Sequence, residues 1–164
     1  MGQNLITVAK LIERCVPPSP EQVRTWRRRL RDLTTIRAVP AAERQHEGTG
    51  KYRLYHPDII PLAAVLLRLG DRGMQIGNLG SLAQMILRPR KADRGTKQVW
   101  DTALVHELRG HQEAWLAIAP IPIAGGVNFA AGFGSVWLPD TPNAPDTWIV
   151  VYLSRIFRQI KAVG

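Results

Sequence analysis

The stretch Val16-Pro17-Pro18-Ser19-Pro20-Glu21-Gln22 constrains this chain more than any other, because it has to end one helix and begin another. Consecutive prolines remove the amide hydrogens a helix needs, and Pro17 disfavours helical dihedrals in the residue before it. The signals then reverse within three positions. Ser19 can cap a helix, Pro20 falls in the first turn where a missing N–H is no loss, Glu21 lies near the positive helix end, and Gln22 occupies the capping-box position. On the near side, Thr7 is an N-cap for a short helix over Val8–Cys15, with Val8, Leu11, Ile12 and Cys15 at helical spacing. Two short helices joined by a stiff turn are therefore expected at the start of the chain.

The second helix has two unlike faces. Val23, Trp26, Leu30 and Leu33 recur at intervals of three and four and form a buried stripe. Arg24, Arg27, Arg28 and Arg31 flank it or point away, and Gln22 and Thr25 lie near the amino end, where a recognition helix touches base edges. A solvated basic helix usually interleaves acids for pairing, whereas Arg27-Arg28-Arg29 has only Asp32 nearby.

Charge over the whole chain points the same way. There are 22 Lys and Arg against 13 Asp and Glu, a net charge of +9, which suits a polyanionic partner such as nucleic acid. Residues 1–60 carry 11 basic and 6 acidic side chains, residues 61–111 carry 8 and 4, and residues 112–164 carry 3 and 3. The excess ends before Gln112, so a basic first part and a neutral, apolar second part are expected to do different work.

Thr34–Tyr55 reads as a β-hairpin, with a first arm near Ile36–Arg44, a tip at Gly48-Thr49-Gly50 and a return arm over Lys51–Tyr55. Lys51, Arg53 and Tyr55 on that return arm could reach phosphates beside a groove. A third helix over Asp58–Leu69 takes Ile59, Leu62, Val65, Leu66 and Leu69 as its core stripe and is ended by Gly70 and Gly73. A fourth fits Met74–Leu87, although Gly77 and Gly80 weaken it by about 1 kcal/mol each. Arg88–Lys97, interrupted by Pro89 and Gly95, reads as a basic connector spanning 88–98, and Thr96–His111 as a fifth helix. Strands follow over Ala114–Ile123, Val127–Leu138 and Trp148–Leu153, then a short helix over Arg155–Ala162. The expected class is α+β, with a helical first part over 1–87 and a helix plus a small antiparallel β-rich module over 99–164.

Helix, helix, hairpin, helix, helix in that order resembles the DNA-binding domain of the MerR family. Val23-Arg24-Thr25-Trp26, Lys51-Tyr52-Arg53-Leu54-Tyr55 and Gly73-Met74-Gln75-Ile76-Gly77-Asn78-Leu79 are similar to that family's recognition-helix, wing and fourth-helix segments, and the match covers roughly residues 5–87. The resemblance implies a winged helix-turn-helix in which Arg24 and Thr25 contact bases or phosphates, while Arg53 and Tyr55 hold phosphate. The chain departs from the family in its turn, one residue longer, in the distance from Trp26 to Arg53, and in lacking a long dimer helix.

The function expected from these features is a transcriptional regulator that binds double-stranded DNA as a homodimer on an inverted repeat, with RNA polymerase or a small-molecule effector as further partners. The alternative is an excisionase-like architectural or recombination accessory protein. No enzyme, cofactor or metal signature is found: in His106-Glu107-Leu108-Arg109-Gly110-His111 the histidines are five apart and fall on different helix faces. Trp115, Phe129, Phe133, Trp137, Trp148 and Tyr152 are core residues or a dimer or effector surface. Ala114–Pro139 carries no charge over 26 positions, but Pro120, Pro122 and repeated glycines argue against a spanning helix. Met1–Ile6 offers no signal peptide, and one cysteine excludes an internal disulfide, so a cytoplasmic, nucleoid-associated protein is expected.

Overall fold

A computed structural model describes residues 5–17, 19–44, 53–87, 89–92, 95–98, 115–123, 126–134 and 149–163. It divides into two units, Met1–Gly80 with Arg158–Gly164, and Ser81–Phe157. The described residues combine helices with small antiparallel sheets, an α+β composition.

In the first unit, strand β1 (Ile6–Thr7) leads into α1 (Val8–Arg14), whose N-cap Thr7 accepts a hydrogen bond from the Lys10 amide at 3.3 Å. Val16 then adopts a left-handed φ of 55°. This is an unusual conformation for a β-branched residue ahead of a proline, and it comes directly after Cys15, the C-cap of α1. Helix α2 (Pro20–Thr35) begins as the sequence predicts, with Ser19 Oγ accepting from the Gln22 amide at 3.3 Å. At its far end Arg37, at φ 60°, donates to Thr34 O (3.1 Å), and Ala38 donates to Leu33 O (2.8 Å). That is the two-bond Schellman closure of a helix, made here without glycine.

The closure changes the expected hairpin. Ile36–Val39 form a turn, not a strand, and the first arm reduces to β2 (Glu43–Arg44), antiparallel to β3 (Arg53–Tyr55) with Arg44 opposite Arg53. On its other side β3 pairs with β1, Ile6 opposite Tyr55, giving the order β1-β3-β2. The Gly48-Thr49-Gly50 tip and Lys51 lie outside the described residues.

After a 3-10 turn at Pro57–Ile59, α3 (Ile60–Asp71) is the centre of the unit. Beyond the expected stripe it also buries Ile60, Ala63, Ala64 and Leu67, as a helix apolar on every side must. Leu11, Ile12 and Cys15 of α1 and Trp26, Leu30 and Leu33 of α2 complete this core. Gly70 does not end α3 but lies in its last turn; Gly73, at φ 91°, makes the reversal that leads to α4 (Ile76–Leu87).

The stretch expected as a connector carries two paired strands, β4 (Pro89–Ala92) and β5 (Gly95–Gln98). Thr96–Gln98 is thus strand where helix was expected; the rest of that expected helix, with His106 and His111, lies outside the described residues. The three later strands are present: β6 (Trp115–Ile123) lies between β7 (Gly126–Gly134) and β8 (Ile149–Tyr152), antiparallel to both. β8 pairs only with Trp115–Ile118. Among the described residues Pro120 and Pro122 therefore fall where β6 has a neighbour on one side alone, the position in a sheet that tolerates a missing donor. Leu116 and Ile118 are buried. Helix α5 (Leu153–Val163) closes the described chain, starting two residues earlier than expected. Among the described residues no helix is long and apolar enough to cross a membrane.

Candidate nucleic-acid interface

Three residues at positions 22, 26 and 29 of α2 share one helix face, and all three reach a single carboxylate at the end of α3. Trp26 Nε1 donates to Asp71 Oδ2 (2.8 Å), Arg29 Nη1 donates to Asp71 Oδ1 (2.6 Å), and Gln22 Nε2 donates to Asp71 Oδ2 (3.4 Å). Arg29 Nη1 also donates to Leu67 O at 3.2 Å, adding a cation to the negative end of the α3 dipole. Gly70 makes this approach possible: a Cβ there would lie 2.5 to 2.7 Å from Arg29 Nε, Cδ and Cζ. With Trp26, Leu30 and Leu33 fully buried behind it, α2 is fixed in azimuth as well as in position.

That fixing determines what α2 presents to solvent. Arg24, Thr25, Arg27, Arg28 and Arg31 are all exposed. The four arginines stand at i, i+3, i+4 and i+7, so they form one cationic ridge. Each like-charged neighbour at that spacing weakens a helix by about 0.2 to 0.5 kcal/mol. Ion pairing does not compensate: among the described residues the salt bridges are Lys10–Glu13 and Arg29–Asp71, and neither involves the ridge. Beside it an open cleft of about 250 Å³ is lined by Thr25, Arg28, Arg29, Asp32, Ile76 and Leu79.

The hairpin residues separate. Arg53 is half-buried, with Nη1 donating to Arg31 O (2.9 Å) and Nη2 to Thr35 Oγ1 (3.4 Å), so its guanidinium closes the carboxyl end of α2. It lies next to the ridge but serves first as a positioning residue. Tyr55 corrects the sequence reading outright. Its side chain is fully buried and its hydroxyl is 2.9 Å from Thr34 Oγ1, so no phosphate reaches it. Because the strand alternates, Arg53 and Tyr55 belong to one face of β3, and that face meets α2. Tyr55→Phe is expected to lower stability by about 1 kcal/mol, the net worth of a neutral buried hydrogen bond. Chemical denaturation reads it, and a variant as stable as wild type would show that the hydroxyl is not held by Thr34.

Gln22 is drawn inward by Ser19 and Asp71 and is half-buried, where Arg24 and Thr25 are exposed. Sequence reasoning missed Asp71 and the structural use of Arg29, which reads in the sequence as one more member of the arginine run. Of the aromatic set in the second unit, Trp137 and Trp148 lie outside the described residues. In the strand register Trp115 is opposite Gly134 and Tyr152, Phe129 opposite Pro120, and Phe133 opposite Leu116. Tyr152 is 45% exposed, with the Arg155 guanidinium 5.0 Å from its ring centroid. No protein-family model matches the sequence, and comparison with curated proteins gives no match.

Proposed function

We propose that the chain is a sequence-specific double-stranded DNA-binding protein of winged helix-turn-helix type. In this reading α2 is the recognition helix, β2 and β3 form the base of the wing, and the protein acts as a homodimeric transcriptional regulator on an inverted repeat. The observation that carries it is the uncompensated arginine ridge on a helix held rigidly by its opposite face. A surface that repels itself in the free protein is relieved by a polyanion. From Arg24 to Arg31 the ridge runs about 10 Å along the axis, at 1.5 Å per residue, which matches about three base-pair steps along a groove wide enough to admit a helix. Arg53 supports the same reading, since it binds the return strand of the hairpin to the end of that helix.

Selection of bound duplexes from a random pool identifies the preferred site, and a two-fold symmetric motif is the expected outcome. On that site Arg24→Ala is expected to weaken binding about tenfold or more and to relax the choice of one base pair. Arg28→Ala and Arg31→Ala are expected to weaken binding to all sequences alike. Wild-type affinity in all three variants would sink the assignment of α2.

A further inference from the structure

We infer that the cleft between α2 and the first turn of α4 is a binding site for a small apolar α-amino acid in its zwitterionic form. The site is distinct from the arginine ridge beside it, and its existence does not depend on what the ridge binds.

The lining is dipolar without a net charge. Thr25, Arg28, Arg29 and Asp32 lie on one face of α2, at i, i+3, i+4 and i+7, and line about 250 Å³ of space together with Ile76 and Leu79 of α4. Arg29 is already matched by Asp71 at 2.6 Å. Arg28 and Asp32 are both exposed, and neither side chain has a salt bridge or hydrogen bond among the described residues. Their i, i+4 spacing suits an ion pair, but the order with the cation on the amino-terminal side is the weaker one, and the two charges stay apart. The cleft therefore offers one unpaired guanidinium and one unpaired carboxylate a helical turn apart, about 6 Å along the axis.

That pattern selects a class of ligand. A simple anion attracted by Arg28 is repelled by Asp32, and a simple cation meets the reverse. A molecule with both charges close together satisfies both groups: its carboxylate accepts from Arg28 and from the Thr25 hydroxyl, and its ammonium donates to Asp32. Leu79 is fully buried while Ile76 is 39% exposed, so an apolar side chain laid against Ile76 withdraws that surface from water. The volume lies below the roughly 300 to 1,000 Å³ of sites for drug-sized ligands, which suits a single amino acid and is too small for a nucleotide cofactor. Inside a peptide both charges are lost to amide bonds, so the ligand is the free amino acid.

Thr25 and Arg28 also belong to the exposed surface of the ridge, so a bound amino acid covers part of it. Resting on the reading of α2 as a recognition helix, the amino acid is then an effector that weakens DNA binding.

The test uses the full chain, isotopically labelled, titrated at neutral pH with L-leucine and followed by amide-resolved NMR. Contacts to exposed charges are individually weak, so saturable shifts at Thr25, Arg28, Ile76 and Leu79 are expected with a Kd on the order of 1 mM. Isocaproate, which lacks the ammonium, isoamylamine, which lacks the carboxylate, and glycine, which lacks the apolar side chain, are each expected to bind less tightly. Asp32→Asn is expected to weaken L-leucine by about two- to fivefold and to tighten isocaproate, so that the two exchange rank, a result that simple uptake of apolar molecules cannot give. Arg28→Ala is expected to weaken L-leucine and isocaproate and to spare isoamylamine. Equal binding of L-leucine and isocaproate by wild type, shifts absent from those four amides, or an unchanged rank order in Asp32→Asn overturns the inference. On a selected duplex, saturating L-leucine is expected to lower wild-type affinity, and an unchanged affinity removes the effector role. If Arg24→Ala, Arg28→Ala and Arg31→Ala bind DNA as wild type while L-leucine still fills the cleft, the amino-acid site stands and the recognition-helix reading falls.

Discussion

Asp71→Ala is expected to lower the unfolding free energy by about 3 kcal/mol and to weaken DNA binding, even though it makes the protein more positive. The carboxylate accepts from the indole of the fully buried Trp26, from Arg29 and from Gln22. Removing it leaves the indole N–H unsatisfied, worth about 1 to 2 kcal/mol. It also strips Arg29 of its counter-charge at a site where both side chains are 22% exposed. The Arg29 loss is smaller than for a fully buried pair, because Leu67 O remains as acceptor and water reaches part of the site. Asp71→Asn keeps an acceptor for Trp26 and is expected to lose about half as much.

Binding gives the sharper discrimination. A simple charge argument predicts that deleting an acid from a cationic protein tightens its hold on DNA. If Asp71 instead fixes the azimuth of α2, the ridge loses its alignment and affinity falls. Urea denaturation and a salt titration of the same variant decide the matter, and stability within 0.5 kcal/mol of wild type, or tighter binding, would refute the role given to Asp71.

How much of this was legible in the sequence depended on whether a feature was local. The start of α2 was readable to the residue because Ser19, Pro20 and Glu21 act on the first turn of the helix itself. Three of the four stripe positions of α2, Trp26, Leu30 and Leu33, are buried as periodicity predicts, because it is a one-dimensional signal, while Val23 is half-buried. Arg29 was not, since nothing local separates it from Arg28: its different role comes from Asp71, 42 positions away, and from the missing Cβ at Gly70. Tyr55 misled for the same reason, since a tyrosine on a basic return strand suits phosphate until its partner Thr34 is known. The end of α2 was missed because Arg37 closes it in a left-handed conformation that the sequence rules reserve for glycine or asparagine. The β4–β5 ribbon was missed because Pro89–Ala92 and Gly95–Gln98 carry no apolar alternation for a period of two to show.

The other large effect concerns alkaline pH. Cys15 is fully buried, its Sγ donates to Ile60 O at 3.7 Å, and burial pushes its thiol up from 9.0 to about 12, against the smaller opposing pull of the Arg68 guanidinium. The folded value lies above the unfolded one, so the folded state holds the thiol proton more tightly. The stabilisation is fully present below about pH 9 and is lost as pH rises towards 12. At about 1.4 kcal/mol per unit, wild type is expected to lose about 2 to 3 kcal/mol between pH 8 and pH 11 on this account alone. The quantity to compare is the difference between wild type and Cys15→Ala, in which every other contribution to alkaline unfolding cancels. Cys15→Ala starts less stable, through lost packing, and its stability is expected to fall more gently with pH. Alkylation supplies an independent reading, since only the thiolate reacts: at pH 8.5 iodoacetamide is expected to leave the folded protein unmodified and to label it at the rate of a free thiol in urea. Parallel pH curves for the two proteins, or ready labelling of the native state, would show that α1 and α3 do not enclose Cys15 as the structure has it.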